Sequence, residues 1–203
     1  MKRIQLMAAA LCAAACVTTT AFAEDQNGLE SATPVEIADP INPKPGMVFN
    51  AYGYDDHFYF NYWKENVSKL PKWPALSTGV DVSESFSIEC ATGVKPKAVR
   101  WEGFLKSKYA KTYTFLVQTG NKYERDCYSV SINGQPVYTA YGEGSFDVDL
   151  KVGWNKVEIS RQFYDSKAMN ISAKIKGGLS EPTKLTPAKF FYDDRPELQD
   201  NGL

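Results

Sequence analysis

The most constraining feature of this chain is a long stretch, residues 99–159, in which apolar and polar residues alternate. Alternation of this period predicts β-strands with one buried face. Four runs show it: 99–105, 111–117, 128–132 and 148–159. Asn133 and Gly134 follow the third run and favour a two-residue type I′ hairpin turn, because both central residues of that turn need positive φ angles. The sequence therefore predicts an all-β, antiparallel domain.

The first 23 residues have the organisation of a secretory signal peptide. A charged start, an apolar core over 6–17 and an Ala-x-Ala site predict cleavage between Ala23 and Glu24. The apolar core is too short for a stable membrane span, and the sequence predicts no transmembrane segment. We expect a secreted, periplasmic or cell-surface protein, with lipid attachment at Cys16 as the open alternative.

The charge of the remaining chain argues against two classes of partner. Cleavage removes Lys2 and Arg3 from 23 basic residues, which leaves 21 against 24 acidic residues and a net charge near −3. Nucleic acid and anionic membranes attract basic surfaces, so we expect neither as a partner.

Two cysteines, Cys90 and Cys127, remain after cleavage. An even number in an exported chain predicts one disulfide. A redox-active or catalytic thiol is the alternative, but it would need a Cys-x-x-Cys pair or a nearby histidine.

The remaining sequence divides into three parts. Residues 24–45 are acidic and proline-rich and predict a flexible tether. Residues 46–192 carry the strand patterns and predict the domain, and residues 193–203 predict a frayed polar tail.

The strand motifs resemble those of the protective-antigen-type (PA-fourteen) domain. They are an Arg-Trp-x-Gly strand at 100–103, Thr-Tyr-Thr-Phe at 112–115, the Asn-Gly turn at 133–134 and the Leu-x-x-Gly-x-x-x-Val pair at 150–157. The resemblance implies an antiparallel β-sandwich related to the glycan-binding domain of flocculin adhesins. This chain would be a single-domain, secreted bacterial member.

The resemblance also identifies a possible calcium site. In glycan-binding members, two adjacent Asp residues before the Asn-Gly strand hold Ca²⁺, which needs hard oxygen ligands. Arg125 and Asp126 occupy these positions here, so a cation-repelling guanidinium replaces the first Asp. A later loop offers Asp165 and Asn170. A modified calcium site at Asp126 and Asp165 and a loop with no metal both stay open.

The same two loops, 119–126 and 164–170, form the candidate ligand site. The proposed ligand-binding residues are Arg125, Asp126, Tyr164, Asp165 and Asn170. A guanidinium donates two parallel hydrogen bonds to a carboxylate, and an aromatic ring stacks on a sugar. These properties predict a metal-independent site that prefers anionic glycans.

No pattern in the chain predicts catalysis. His57 is the single histidine and lies in an aromatic stretch, which is poor support for a nucleophile–base pair. Asp147 and Asp149 alternate with apolar residues, which is typical of a solvated strand face rather than a carboxylate pair of a glycosidase. We therefore expect no enzyme activity.

Aromatic residues have two interpretations. Those of 58–73 either pack the core or form a sugar-stacking platform. Trp101 and Trp154 fall in strands and are expected in the core, whereas Tyr138 and Tyr141 are expected to be more exposed.

These features together predict a secreted, non-catalytic carbohydrate-binding or adhesion module. Its partner would be a glycan or cell-surface polysaccharide. The alternative is a structural or protein-interaction module that contacts another envelope protein, and a small glycan-active enzyme is the third hypothesis.

Overall fold

The computed structural model describes residues 37–53, 74–87, 96–118, 127–162 and 168–194. These residues form twelve β-strands and a short 3-10 turn at Pro187–Lys189. The strands are β1 (Pro43–Pro45), β2 (Met47–Tyr52), β3 (Ser77–Asp81), β4 (Ala98–Ser107), β5 (Lys111–Gln118), β6 (Cys127–Ile132), β7 (Gln135–Tyr141), β8 (Gly144–Leu150), β9 (Gly153–Gln162), β10 (Asn170–Ile175), β11 (Thr183–Leu185) and β12 (Phe191–Asp193).

The strands of the described ranges form two antiparallel sheets that pack face to face. The large sheet has the order β1-β12-β4-β9-β6-β7, with β2 also paired to β4 and β3 to β2. The small sheet has the order β11-β10-β5-β8. The alternating runs of the sequence correspond to β4, β5, β6, β8 and β9, so the prediction of an antiparallel β-sandwich is confirmed.

The predicted hairpin turn is confirmed as well. Ile132 pairs with Gln135, which leaves two residues between β6 and β7. Asn133 has φ +52° and Gly134 has φ +76°. Both angles lie in the left-handed region that a type I′ turn requires.

The core is built from alternate residues of both sheets. Trp101 is 1% exposed, and its ring meets Phe86 edge-to-face with 5.4 Å between centroids. On the small sheet, Phe115 stacks on Phe146 at 5.3 Å. The side chains from the two inner faces thus form one continuous apolar cluster.

The expectation that Trp154 belongs to the core is wrong. It is out of phase with Val157 and Ile159, which point inward, so its ring lies half-buried on the outer face of the large sheet. There it meets Phe191 edge-to-face at 5.2 Å.

Tyr138 also differs from its expectation. It is half-buried rather than exposed and stacks on Phe146 with 4.8 Å between ring centroids. Its strand, β7, continues the large sheet, so an inward residue there reaches the core.

The sheet extends beyond the ends of the domain that the sequence predicts. Strand β1 lies within 24–45, the segment interpreted as a tether, and pairs with β12. The backbone amides of Ile41 and Asn42 each donate to the Asp193 carboxylate at 3.2 Å. Asp193 itself begins the segment interpreted as a tail. The two ends of the domain are therefore hydrogen-bonded to each other.

Asn155 connects two turns from inside the protein. This residue is fully buried, and its side chain both accepts from the Lys151 amide (3.0 Å) and donates to the Lys151 carbonyl (2.9 Å). It also accepts from the Asn133 side chain at 3.1 Å. The β6–β7 turn and the β8–β9 turn are therefore held together by satisfied buried polar groups.

Several predictions lie outside the described residues. They include the signal peptide over 1–23, the aromatic stretch 58–73 with His57, and Cys90. No helix among the residues that the structure describes is long and apolar enough to cross a membrane.

Candidate functional site

One end of the sandwich collects the strand ends that carry the predicted ligand loops. Gln118, the last residue of β5, pairs with Asn170, the first of β10. Cys127, the first of β6, pairs with Gln162, the last of β9. In the chain, 119–126 links Gln118 to Cys127 and 163–169 links Gln162 to Asn170, so each segment joins a strand end of one pair to a strand end of the other. We call this end of the sandwich the loop end.

The other connections that lie outside the described ranges join the same end. Ala98, the first residue of β4, pairs with Gln162 and also with Tyr52, the last residue of β2. Strand β2 therefore ends, and β4 begins, at the loop end. The segments 54–73 and 88–95 are therefore joined to the loop end through nearby strand residues.

Of the predicted ligand residues, only Asn170 lies in the described part of the chain. Its side chain is exposed at the first position of β10. Arg125, Asp126, Tyr164 and Asp165 lie outside the described residues. The structure therefore describes the strand ends beside these loops but none of the four side chains.

A buried arginine side chain lies between the sheets at the loop end. Arg161 is fully buried and alternates with the core residues Val157 and Ile159, so its guanidinium points between the sheets. It donates to the Phe86 carbonyl at 3.5 Å.

Tyr128 is the neighbour of Arg161 across the β6–β9 ladder and is also fully buried. Burial raises the pKa of its hydroxyl, and the nearby Tyr138 raises it further. Both hydroxyls lie beside Gly144: a Cβ added there would be 3.1 Å from that of Tyr128 and 2.5 Å from that of Tyr138. Glycine at this position therefore leaves room for the two tyrosines.

Three paired residues at the loop end point outward from the large sheet and are nevertheless buried. Alternation places Cys127, Ala98 and Gln162 on the outer face of the large sheet, yet their exposed fractions are 0%, 0% and 6%. The outer face is therefore covered at this end. The buried Oε1 atom of Gln162 has no hydrogen-bond partner in the described part of the chain.

Arg161, Tyr128 and Gln162 are not among the site residues predicted from the sequence. The signal was available for the first two, because each shares the phase of the apolar residues in its strand. No sequence pattern distinguishes Gln162, since its burial on an outer face depends on packing between distant segments.

Among the residues that the structure describes, no group of three or more His, Cys, Asp or Glu side chains is placed to hold an ion. Of the predicted oxygen ligands, Asn170 alone lies among them. Calcium at Asp126 and Asp165 therefore stays a prediction.

Asp147 and Asp149 lie on a solvated strand face, as the sequence predicts. They are exposed on β8 and accept hydrogen bonds from Thr114 (2.7 Å) and Thr112 (2.6 Å). Hydrogen bonds from Lys176 and Thr114 hold the pKa of Asp147 below its ordinary value. A general acid needs a raised pKa, so Asp147 does not fit that role.

Four charged residues form an ion-pair network on the outer face of the large sheet. Arg100 contacts Glu158 at 2.8 Å and Glu102 at 3.1 Å, and Lys156 contacts the same carboxylates at 3.1 and 3.5 Å. Burial alone would raise the pKa of Glu158, but the charges of Arg100 and Lys156 outweigh it and hold the pKa below its ordinary value.

This lowered pKa predicts a pH dependence of stability. Ionised Glu158 stabilises the folded state fully above its unfolded pKa, and this contribution is lost as the pH falls through the lower folded pKa. Glu158→Gln is therefore expected to lower stability at pH 7 and to flatten its decline in acid, as measured by urea unfolding between pH 7 and 3. Glu143→Gln, at an exposed turn, is the control. An equal acid decline in Glu158→Gln and the unmodified protein would contradict this assignment.

Comparison with known proteins gives a structural likeness. No family model matches the chain, and no curated protein matches it. Among solved structures, it is similar to an anti-sigma factor domain-containing protein, with 18% identity and a TM-score of 0.52 over 80% of this chain. The match spans only 51% of that protein.

Two other structures match along nearly their whole length. The PA14 domain of the antifreeze protein MpAFP has 17% identity and a TM-score of 0.52, covering 77% of this chain and 95% of that one. The A domain of Epithelial Adhesin 6 from Candida glabrata, solved in complex with Galb1-3GlcNAc, has 13% identity and a TM-score of 0.54. That match covers 81% of this chain and 93% of the adhesin domain. At such low identity the likeness concerns the fold, and the chain has the antiparallel β-sandwich fold of the protective-antigen-type (PA14) domain.

Proposed function

We propose that this protein is a secreted, non-catalytic carbohydrate-binding or adhesion module that binds its ligand at the loop end. The observation that carries the proposal is the pairing of Gln118 with Asn170 and of Cys127 with Gln162. It joins both candidate loops to one end of a rigid sandwich, and loops on a rigid scaffold commonly carry binding sites. The fold shared with an adhesin domain that was solved with a disaccharide supports the same function.

We assign the following roles at this end. Arg125 donates two hydrogen bonds to the carboxylate of an acidic sugar, and Tyr164 offers a stacking face. Asp126, Asp165 and Asn170 accept hydrogen bonds from sugar hydroxyls. If calcium binds, Asp126 and Asp165 hold it, and it would supply a Lewis-acidic contact to sugar hydroxyls.

A glycan array probed with the protein after removal of residues 1–23 tests this function. We expect binding to sialylated or uronate-containing glycans that EDTA leaves unchanged. Arg125→Ala should weaken that binding by about tenfold or more, since a charge-assisted hydrogen bond contributes roughly 1.5–3 kcal/mol. Arg195→Ala, in the predicted tail, is the matched control and should bind normally.

Two results would contradict these assignments. If EDTA abolishes glycan binding and Arg125→Ala preserves it, the site depends on calcium and is not metal-independent. An array on which no glycan binds, with protein shown to be folded by circular dichroism, would reject the carbohydrate-binding function.

The alternative is a structural or protein-interaction module of an envelope assembly. It is favoured by the replacement of the first calcium-binding Asp by Arg125 and by the likeness to the anti-sigma factor domain-containing protein. In that case the array stays blank, and cross-linking in intact cells recovers the protein with a specific envelope protein.

A further inference from the structure

The end of the sandwich opposite the loop end carries a compact group of exposed lysines and aromatic rings. The β4–β5 turn has the sequence Lys-Ser-Lys-Tyr-Ala-Lys over residues 106–111. The β8–β9 turn lies beside it, because Ser107 pairs with Gly153 and Lys111 with Leu150. We call Lys106, Lys108, Tyr109, Lys111 and Trp154 the basic end patch.

Each ammonium group of the patch lies against an aromatic ring. Lys106 Nζ is 5.0 Å from the centre of the Trp154 ring. Lys108 and Lys111 place their Nζ atoms 5.4 and 5.5 Å from the centre of the Tyr109 ring. Cation–π contacts of this kind hold the ammonium groups next to the rings, so one ligand can contact a charge and a ring at the same time.

The lysines of the patch form no ion pair with the residues that the structure describes. Within the described residues, Lys44, Lys151, Lys156 and Lys176 all contact carboxylates. Lys106, Lys108 and Lys111 contact none in the same part of the chain and are exposed. In a protein of net charge −1, three uncompensated lysines in six residues form a local positive potential.

Hydrogen bonds hold the turn that presents the patch. The Ser107 hydroxyl is buried, donates to the Tyr109 carbonyl at 2.8 Å and lies 3.2 Å from the Tyr113 hydroxyl. Tyr109 remains 46% exposed. The tyrosine ring is therefore offered to solvent from a fixed backbone, which lowers the entropic cost of binding.

We propose that the basic end patch is a second binding surface, which takes an acidic polysaccharide. The ammonium groups match carboxylates repeated along a polyuronate, and the Tyr109 and Trp154 rings match the apolar faces of its sugar rings. The ten residues of β4 separate this patch from the loop end by about 30 Å. One domain thus presents two independent surfaces and bridges two glycans.

Binding to polygalacturonate, followed by calorimetry, tests the proposal, with dextran as the neutral control polymer. The triple variant Lys106→Gln, Lys108→Gln, Lys111→Gln should bind polygalacturonate about tenfold or more weakly at low salt, and added NaCl should weaken the unmodified protein similarly. The matched control, Lys174→Gln, Lys184→Gln, Lys189→Gln, removes the same charge away from the patch and should bind within about twofold of the unmodified protein. Tyr109→Ala should weaken binding by about threefold to tenfold, because a ring contact contributes roughly 0.5–1.5 kcal/mol.

The remaining outcomes separate this surface from the loop end and from other occupants. If Arg125→Ala loses polygalacturonate binding and the triple variant of the patch keeps it, the polymer binds at the loop end and the proposal is overturned. If both lysine triple variants lose polygalacturonate binding equally, the effect is one of net charge alone, and the proposal is overturned too. Vesicles of anionic phosphatidylglycerol or duplex DNA that bind as tightly as polygalacturonate, through the same lysines, would identify a general anion surface instead.

Discussion

Trp101→Ala is expected to lower the free energy of unfolding by about 3–5 kcal/mol, the range for removing a large aromatic side chain from a core. Trp101 is 1% exposed and contacts Phe86 edge-to-face. Its indole Nε1 also donates to the buried Asp81 carboxylate at 2.9 Å. The substitution therefore opens a cavity and removes a donor from a carboxylate that is 3% exposed.

Two variants separate these contributions in urea unfolding followed by circular dichroism. Trp101→Phe keeps most of the packing and loses the donor to Asp81, so we expect a loss of about 1–3 kcal/mol. Trp154→Ala removes the same side chain from the outer face and should cost clearly less than Trp101→Ala. Equal losses at Trp101 and Trp154 would show that the inner and outer faces are wrongly assigned.

The two tryptophans also show how far the sequence predicts this fold. Strand periodicity predicts β4, β5, β6, β8 and β9, and the Asn133 and Gly134 turn fixes the register between β6 and β7, because these signals are local. The hydrophobicity of Trp154 suggested the core, but its phase relative to Val157 and Ile159 places it outside. Where residue type and strand phase disagree, phase is the better guide, since a strand cannot turn one side chain to the other face.

The ends of the domain and its candidate site are less accessible to such reasoning. Strand β1 has no periodicity, carries Pro43 and Pro45, and exists because β12 is available to pair with it. The inward Arg161 follows the same phase rule as Ile159, but a charged residue does not indicate a core position by itself. Loop positions can be predicted from the order of the strands, whereas the contacts of their side chains depend on packing between distant segments.

Loss of the predicted disulfide is the second large effect. Cys127→Ser is expected to lower stability by about 2–5 kcal/mol, the range for removing a native disulfide from a small secreted domain, and the chain-entropy model gives about 4 kcal/mol for a loop from Cys90 to Cys127. Cys127 is fully buried on the outer face at the first residue of β6. The segment that carries Cys90 is joined to the same end, between Ser87 and Pro96. A bond there would also restrain Asp126 and Arg125, the residues directly before Cys127.

A double-mutant cycle distinguishes this bond from ordinary burial of a thiol. If Cys90 and Cys127 are bonded, Cys90→Ser, Cys127→Ser and the double variant lose similar amounts of stability, because the first substitution already removes the bond. Dithiothreitol then lowers the stability of the unmodified protein to that of the variants and leaves the variants unchanged. A buried but unbonded Cys127 predicts a different pattern, in which only Cys127→Ser destabilises and the reductant has no effect. Two free thiols by mass spectrometry of the protein without residues 1–23 would exclude the bond.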